Sequence, residues 1–189
     1  MKTVTLCVLA LLPAAIALAE EAEHREHGPH EHGVAELNVA LDGNQLWIEL
    51  SSPAMNIVGF EYAPGNAEQR AAVHEAAETL NDGARVFGTS PDAGCQLAEA
   101  KVTTDIEQAE GEHPEAAAER GEEDEPSGAI HSEFHASYRF ECAAPEALER
   151  LEVHLFDLFP GTEEVEAQVI SGTGQSAVQL TGAAPDLVF

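Results

Sequence analysis

From Val34 onward the chain alternates apolar and polar residues with a period of two. Ala35, Leu37, Val39 and Leu41 fall on one face and Val34, Glu36 and Asn38 on the other, the pattern of a half-buried strand. Asp42-Gly43-Asn44 supplies turn chemistry, and Leu46, Ile48 and Leu50 resume the alternation around Trp47 and Glu49. A hairpin is therefore predicted, ended by Pro53. The period then changes. Asn66 can cap a helix with Gln69 at its third position, and Val73, Ala76 or Ala77, and Leu80 follow at helical spacing up to a stop at Asn81-Asp82-Gly83. Short strands are predicted at 84–87 and 95–103. Between Asp105 and Gly128 the composition shifts to Glu, Asp, Ala, Gly and Pro, with no bulky apolar residue after Ile106. Such a stretch has nothing to bury, which predicts a flexible, solvated acidic loop over 105–128.

Beyond that loop the alternation returns. Phe134, Ala136, Tyr138, Phe140 and Cys142 share one face, while His131, Glu133, His135, Ser137, Arg139 and Glu141 share the other. The remaining sequence predicts strands near 151–155, 165–171, 176–181 and 187–189, with a tight Phe159-Pro160-Gly161 turn between the first two. There is no internal repeat. Eight or nine strands against one long helix predict a mainly β (α+β) fold of antiparallel, sandwich-like sheets.

The first residues follow a different rule. Residues 1–19 carry one basic residue, Lys2, then an apolar run over 4–12, Pro13, and Ala17-Leu18-Ala19 just before Glu20. That is the pattern of a secretory signal with an A-x-A cleavage site. The run is shorter than the roughly 20 residues of a membrane span, and no later segment approaches that length. The sequence thus predicts export to the periplasm without membrane insertion, and a single domain over 20–189. Cys7 lies inside the signal, away from any lipobox. The two cysteines that remain, Cys95 and Cys142, are an even pair in an exported chain and predict a disulfide.

Charge changes the list of partners more than the list of chemistries. With 35 acidic and 8 basic residues the net charge is −27, which disfavours nucleic acid and anionic membranes. Such acidity can attract divalent cations, but it equally serves solubility in a salty environment. The presence of only Lys101 as a lysine beyond the signal favours the latter. Charge by itself is not an argument for metal binding.

Histidine placement is. His24, His27, His30 and His32 cluster ahead of the first strand, and His30 and His32 form an H-x-H in register with its polar face. Same-face neighbours lie roughly 6.6 Å apart along a strand, so two imidazoles can converge on one ion at about 2.0–2.1 Å each. The other reading of this stretch is a solvated tail. His131, Glu133 and His135 line one strand face; the outer two are about 13 Å apart, so only adjacent members can share an ion. The other reading here is a polar surface stripe. Pairing the two histidine-bearing strands would assemble three or four nitrogen and oxygen ligands. That set fits Zn²⁺ without excluding copper(II) or nickel. His74 and His154 read as surface or structural residues, and His113 sits in the acidic loop. No HExxH, G-x-S-x-G or P-loop is present. No catalytic residue is assigned, and the chain is not predicted to be an enzyme. A zinc hydrolase would need an open coordination position and a general base beside the metal.

Several segments occur together and in order: His30 to Ala40 (HEHGVAELNVA), Ser52-Pro53-Ala54-Met55-Asn56, Gly59-Phe60-Glu61, His131-Ser132-Glu133-Phe134, Tyr138-Arg139-Phe140-Glu141-Cys142, Phe156-Asp157-Leu158-Phe159-Pro160 and Gly174-Gln175. In these the chain resembles the zinc-regulated periplasmic proteins of the ZrgA family. The resemblance implies zinc binding in the periplasm and cooperation with an ABC-type zinc importer, through its periplasmic zinc-binding component. The protein is expected to be a monomer. Two departures matter. The long His/Asp-rich central loop of the family is here acidic, with His113 alone, and the usual G-F-E-H reads Gly59-Phe60-Glu61-Tyr62, which leaves the role of Glu61 open. The alternative is a non-catalytic structural or interaction module of the envelope whose histidines are incidental.

Overall fold

The computed structural model describes residues 31–108 and 132–189. The expected signal segment, His24, His27, His30, His113, His131 and all of the acidic stretch past Gln108 lie outside the described residues. Strands β1 (Val34–Asp42) and β2 (Gln45–Pro53) form the predicted hairpin, paired from Glu36 with Ser51 to Asp42 with Gln45. Helix α1 (Ala54–Val58) follows at once, and α2 (Ala67–Asn81) starts where the cap was predicted, with Asn66 Oδ1 accepting from the Gln69 amide at 2.9 Å.

Residues 84–86, expected as strand, are helical instead. Asp82 ends α2 and also caps α3 (Gly83–Val86), its side chain accepting from the Arg85 amide at 3.3 Å, so β3 begins only at Phe87 (Phe87–Thr89). The chain continues through β4 (Cys95–Thr104), β5 (Glu133–Cys142), β6 (Arg150–Val153), α4 (Leu155–Leu158), β7 (Glu164–Ser171), β8 (Gly174–Thr181) and β9 (Asp186–Val188). The strand expected over 151–155 stops at Val153. His154 therefore does not alternate on a strand face; it precedes α4 with its Nδ1 2.9 Å from the Arg85 carbonyl oxygen. Within the first residues of the expected acidic loop, Ile106 opens a short 3-10 turn and is fully buried, while Asp105 and Glu107 beside it are exposed.

Two sheets stand in a sandwich-like arrangement. One has six strands in the order β4-β5-β2-β1-β7-β8, the other three in the order β3-β6-β9. All pairings are antiparallel except β1 with β7, which run parallel from Val34 with Glu164 to Ala40 with Ile170. The alternation predicted for the inward faces holds: Ala35, Leu37, Val39, Leu46, Ile48, Leu50, Phe134, Ala136, Tyr138 and Phe140 are buried in one cluster with Leu80, Phe87, Leu151 and Leu187. Tyr138 is buried edge-on to Phe87 and donates its hydroxyl to the Leu80 carbonyl at 2.7 Å, and burial pushes its phenol pKa up. The predicted disulfide joins Cys95 to Cys142, fastening the start of β4 to the end of β5.

Candidate metal centre

At one end of the six-stranded sheet, a small set of buried polar residues holds the chain that carries the histidines. His32 and Gly33 form the turn into β1. Gly33 has φ +90°, a left-handed conformation that strains any L side chain. Its amide donates to Asn56 Oδ1 at 2.7 Å, and its carbonyl accepts from the amides of Glu163 and Glu164 at 2.7 and 3.0 Å. Asn56, buried on α1, also donates through Nδ2 to the Val34 carbonyl at 3.0 Å and to Ser52 Oγ at 3.3 Å. Gly161 completes this anchor from the far side. A Cβ there would lie 2.6 Å from the Asn56 carbonyl oxygen, so only glycine lets the Phe159-Pro160-Gly161 turn pack against α1. Replacing Asn56 by alanine strands the Gly33 amide and the Val34 carbonyl, and is expected to cost about 1–3 kcal/mol in urea unfolding.

The anchor presents His32 to a carboxylate the sequence did not assign. His32 Nε2 lies 3.2 Å from Glu61 Oε2, with the His32 side chain 52 % exposed and that of Glu61 12 %. The second expected ligand pair is close as well: His135 Nε2 lies 3.0 Å from Glu133 Oε2, with Glu133 buried and His135 open to solvent. Ser51, opposite His135 across the β2–β5 ladder, donates to Glu133 Oε2 at 3.4 Å. The Glu133 backbone is fixed by the end of β4, where Asp105 Oδ1 accepts its amide at 2.9 Å and the Thr104 hydroxyl donates to its carbonyl at 2.7 Å. Ser132 links the two pairs. Its hydroxyl donates to the Glu61 carbonyl at 2.9 Å, its carbonyl accepts from the Ala54 amide at 2.8 Å, and the next residue is Glu133.

The pairing of the two histidine-bearing strands does not occur. β2 lies between β1 and β5, which puts them about 10 Å apart at the usual strand spacing. His32 precedes β1 rather than lying on it. Among the described residues no three His, Cys, Asp or Glu side chains form a metal-binding group. His32 is thus placed beside Glu61 and His135 beside Glu133, while His30 and His131 lie outside the described residues. His74 lies 3.5 Å from exposed Glu78 on α2, in line with its reading as a surface residue. Glu61 was missed because the contact spans 29 residues; the one local hint was the Gly59-Phe60-Glu61 motif.

Each pair fits the donor chemistry of zinc. Two donors about 2.05 Å from a tetrahedral ion sit roughly 3.3 Å apart, against 3.2 and 3.0 Å here. Without metal, a polar contact between ring nitrogen and carboxylate oxygen spans the same gap. The hydrogen bond to Glu133 raises the His135 pKa above its ordinary 6.5, helped by the charges of Glu133 and Asp105 and opposed by partial burial. A raised pKa means that this pair contributes stability present below about pH 6.5 and lost as pH rises through the folded value. In metal-free protein, the His135 ring resonances are expected to titrate with a midpoint above 6.5 and to move down in Glu133→Gln. A midpoint unchanged by that substitution would contradict the pairing.

Beside the second pair, on the outer face of the sheet, lies an open depression of about 540 Å³ lined by Glu36, Glu49, Ser51, Lys101, Glu133 and His135. A mainly β scaffold carrying exposed imidazoles on rigidly held carboxylates has the donor equipment of proteins that handle divalent transition metals. Residues 29–189 match the family described as ZrgA family zinc uptake protein, and the chain belongs to that family. Membership gives it a zinc-related role. No curated protein matches the chain.

Proposed function

We propose that this is a non-catalytic zinc-binding protein of the periplasm that acquires or buffers Zn²⁺ and passes it to the periplasmic component of an ABC-type importer. The observation that carries this reading is the pair of His–carboxylate contacts, His32 with Glu61 and His135 with Glu133, tied to one another through Ser132. Each offers nitrogen and oxygen at the separation an ion requires, and each has an exposed imidazole that a solvated ion can reach. His131 is joined directly to Ser132 and His30 lies two residues before His32, so both are proposed to complete the coordination. The expected signal over residues 1–19 accounts for the location, and the Cys95–Cys142 disulfide suits an oxidising compartment.

The test is metal content and affinity. Protein purified without a nickel column, stripped by chelator and titrated calorimetrically, is expected to bind zinc stoichiometrically and to release protons as it does. Failure to bind zinc in the stripped and refolded protein would favour the structural-module reading instead.

A further inference from the structure

The described residues present four sheet edges, and three are blunted in familiar ways. β3 and β9 have three residues each. β4 carries a bulge between Leu97 and Glu99, the charges of Glu99 and Lys101, and an ion pair from Glu99 to Arg139 at 3.7 Å. Short length, bulges and charge are the devices that keep an edge from templating another strand. β8 has none of them from Gly174 to Leu180, and its last residue, Thr181, is capped by the backbone pair it makes with Ala184. It runs eight residues, pairs with β7 without a register break from Glu164–Thr181 to Ser171–Gly174, and bears no charged side chain. The neutral stretch is wider than the strand: residues 167–185, nineteen in a row, include no Asp, Glu, Lys or Arg, in a chain that is 23 % charged. It also holds two of the four large apolar residues exposed among those described, Ile170 on the outer face and Val178 on the inner.

In place of the monomer expected from the sequence, we propose that the β8 edge is a dimer interface, at which a second copy of this chain adds its own β8 antiparallel and extends the sheet across a twofold axis. Charge selects the occupant. Two chains of net charge −27 repel one another, and the 167–185 hairpin, which carries no carboxylate of its own, is a surface on which they can meet. A basic partner would instead be drawn to the acidic surface found elsewhere. Twofold closed dimers are the commonest assembly, and an identical strand is complementary to itself. A twofold axis perpendicular to the sheet keeps inner face with inner face, so a residue must stand opposite its own copy. With Val178 opposite Val178 of the second copy, the two exposed valines cover each other and Ser176 faces Leu180 of the second copy.

This inference is independent of zinc and is tested with chelator present. Sedimentation equilibrium of the mature chain up to about 300 µM is expected to show a monomer–dimer equilibrium that tightens as salt rises to about 0.5 M, because screening weakens the repulsion. Val178→Glu, which opposes two carboxylates at the axis, is expected to weaken dimerisation at least 10-fold, whereas Gln96→Glu on the β4 edge leaves it unchanged. Val178→Cys, a small change that spares the fold, is expected to give a disulfide-linked dimer on mild oxidation, with Gln96→Cys staying monomeric. A monomer throughout the concentration range, or a dimer indifferent to Val178→Glu and not cross-linked through Val178→Cys, would overturn the proposal.

Discussion

Replacing His135 by alanine is expected to weaken zinc binding by at least 10-fold. Loss of a partner that merely orients a ligand costs roughly 10- to 100-fold, and His135 is proposed to bond the ion itself. Glu133→Gln should act in the same direction, since it removes the carboxylate 3.0 Å from the ring. His32→Ala, Glu61→Gln and His131→Ala test the other side. His74→Ala, whose ring lies beside an exposed carboxylate on α2, should change affinity by less than about 3-fold. The double variant His32→Ala with His135→Ala distinguishes one ion from two. If both pairs act on one ion, the double loses less than the sum of the singles, because the residual site no longer holds metal. With two ions the stoichiometry of the parent is two, and each single variant removes one. Wild-type affinity in both His32→Ala and His135→Ala would sink the proposed site.

The largest loss of stability is expected from Cys95→Ala with Cys142→Ala. The bridge spans a sequence separation of 47 residues, and the chain-entropy model assigns such a loop about 4 kcal/mol. For a chain of this size that corresponds to a fall in Tm of roughly 8–16 °C. Strain or residual structure in the unfolded chain lowers the figure, so a drop of only a few degrees would show that the hairpin's own packing restrains it. The disulfide closes β4 on β5 at the end opposite Thr104, Asp105 and Glu133. Its loss should therefore reduce stability more than zinc affinity.

Much of the architecture was readable from local pattern. Period-two alternation in β1, β2 and β5 named the inward residues, Asn66 and Gln69 marked the start of α2, and Cys95 with Cys142 foretold their bond. These features depend on residues a few positions apart, or on two cysteines alone. Misreadings fell where local chemistry offered two outcomes. Asp82 could end one helix or begin another and does both, and a four-residue strand followed by a short helix left 151–155 looking like continuous strand.

Only the tertiary structure decided how the candidate ligands meet. Alternation places a side chain on a face but does not say which strand lies alongside, and the insertion of β2 between β1 and β5 keeps those two strands from pairing. Contacts across 29 residues from His32 to Glu61 and across 71 from Ser132 to Glu61 then bring in a carboxylate that the Gly59-Phe60-Glu61 motif alone had hinted at. The parallel pairing of β1 with β7 is of the same kind, and it leaves the neutral β8 at an open edge. Strand order is fixed by which apolar faces bury best together across the whole chain, so it is a property of the packed core rather than of any one segment.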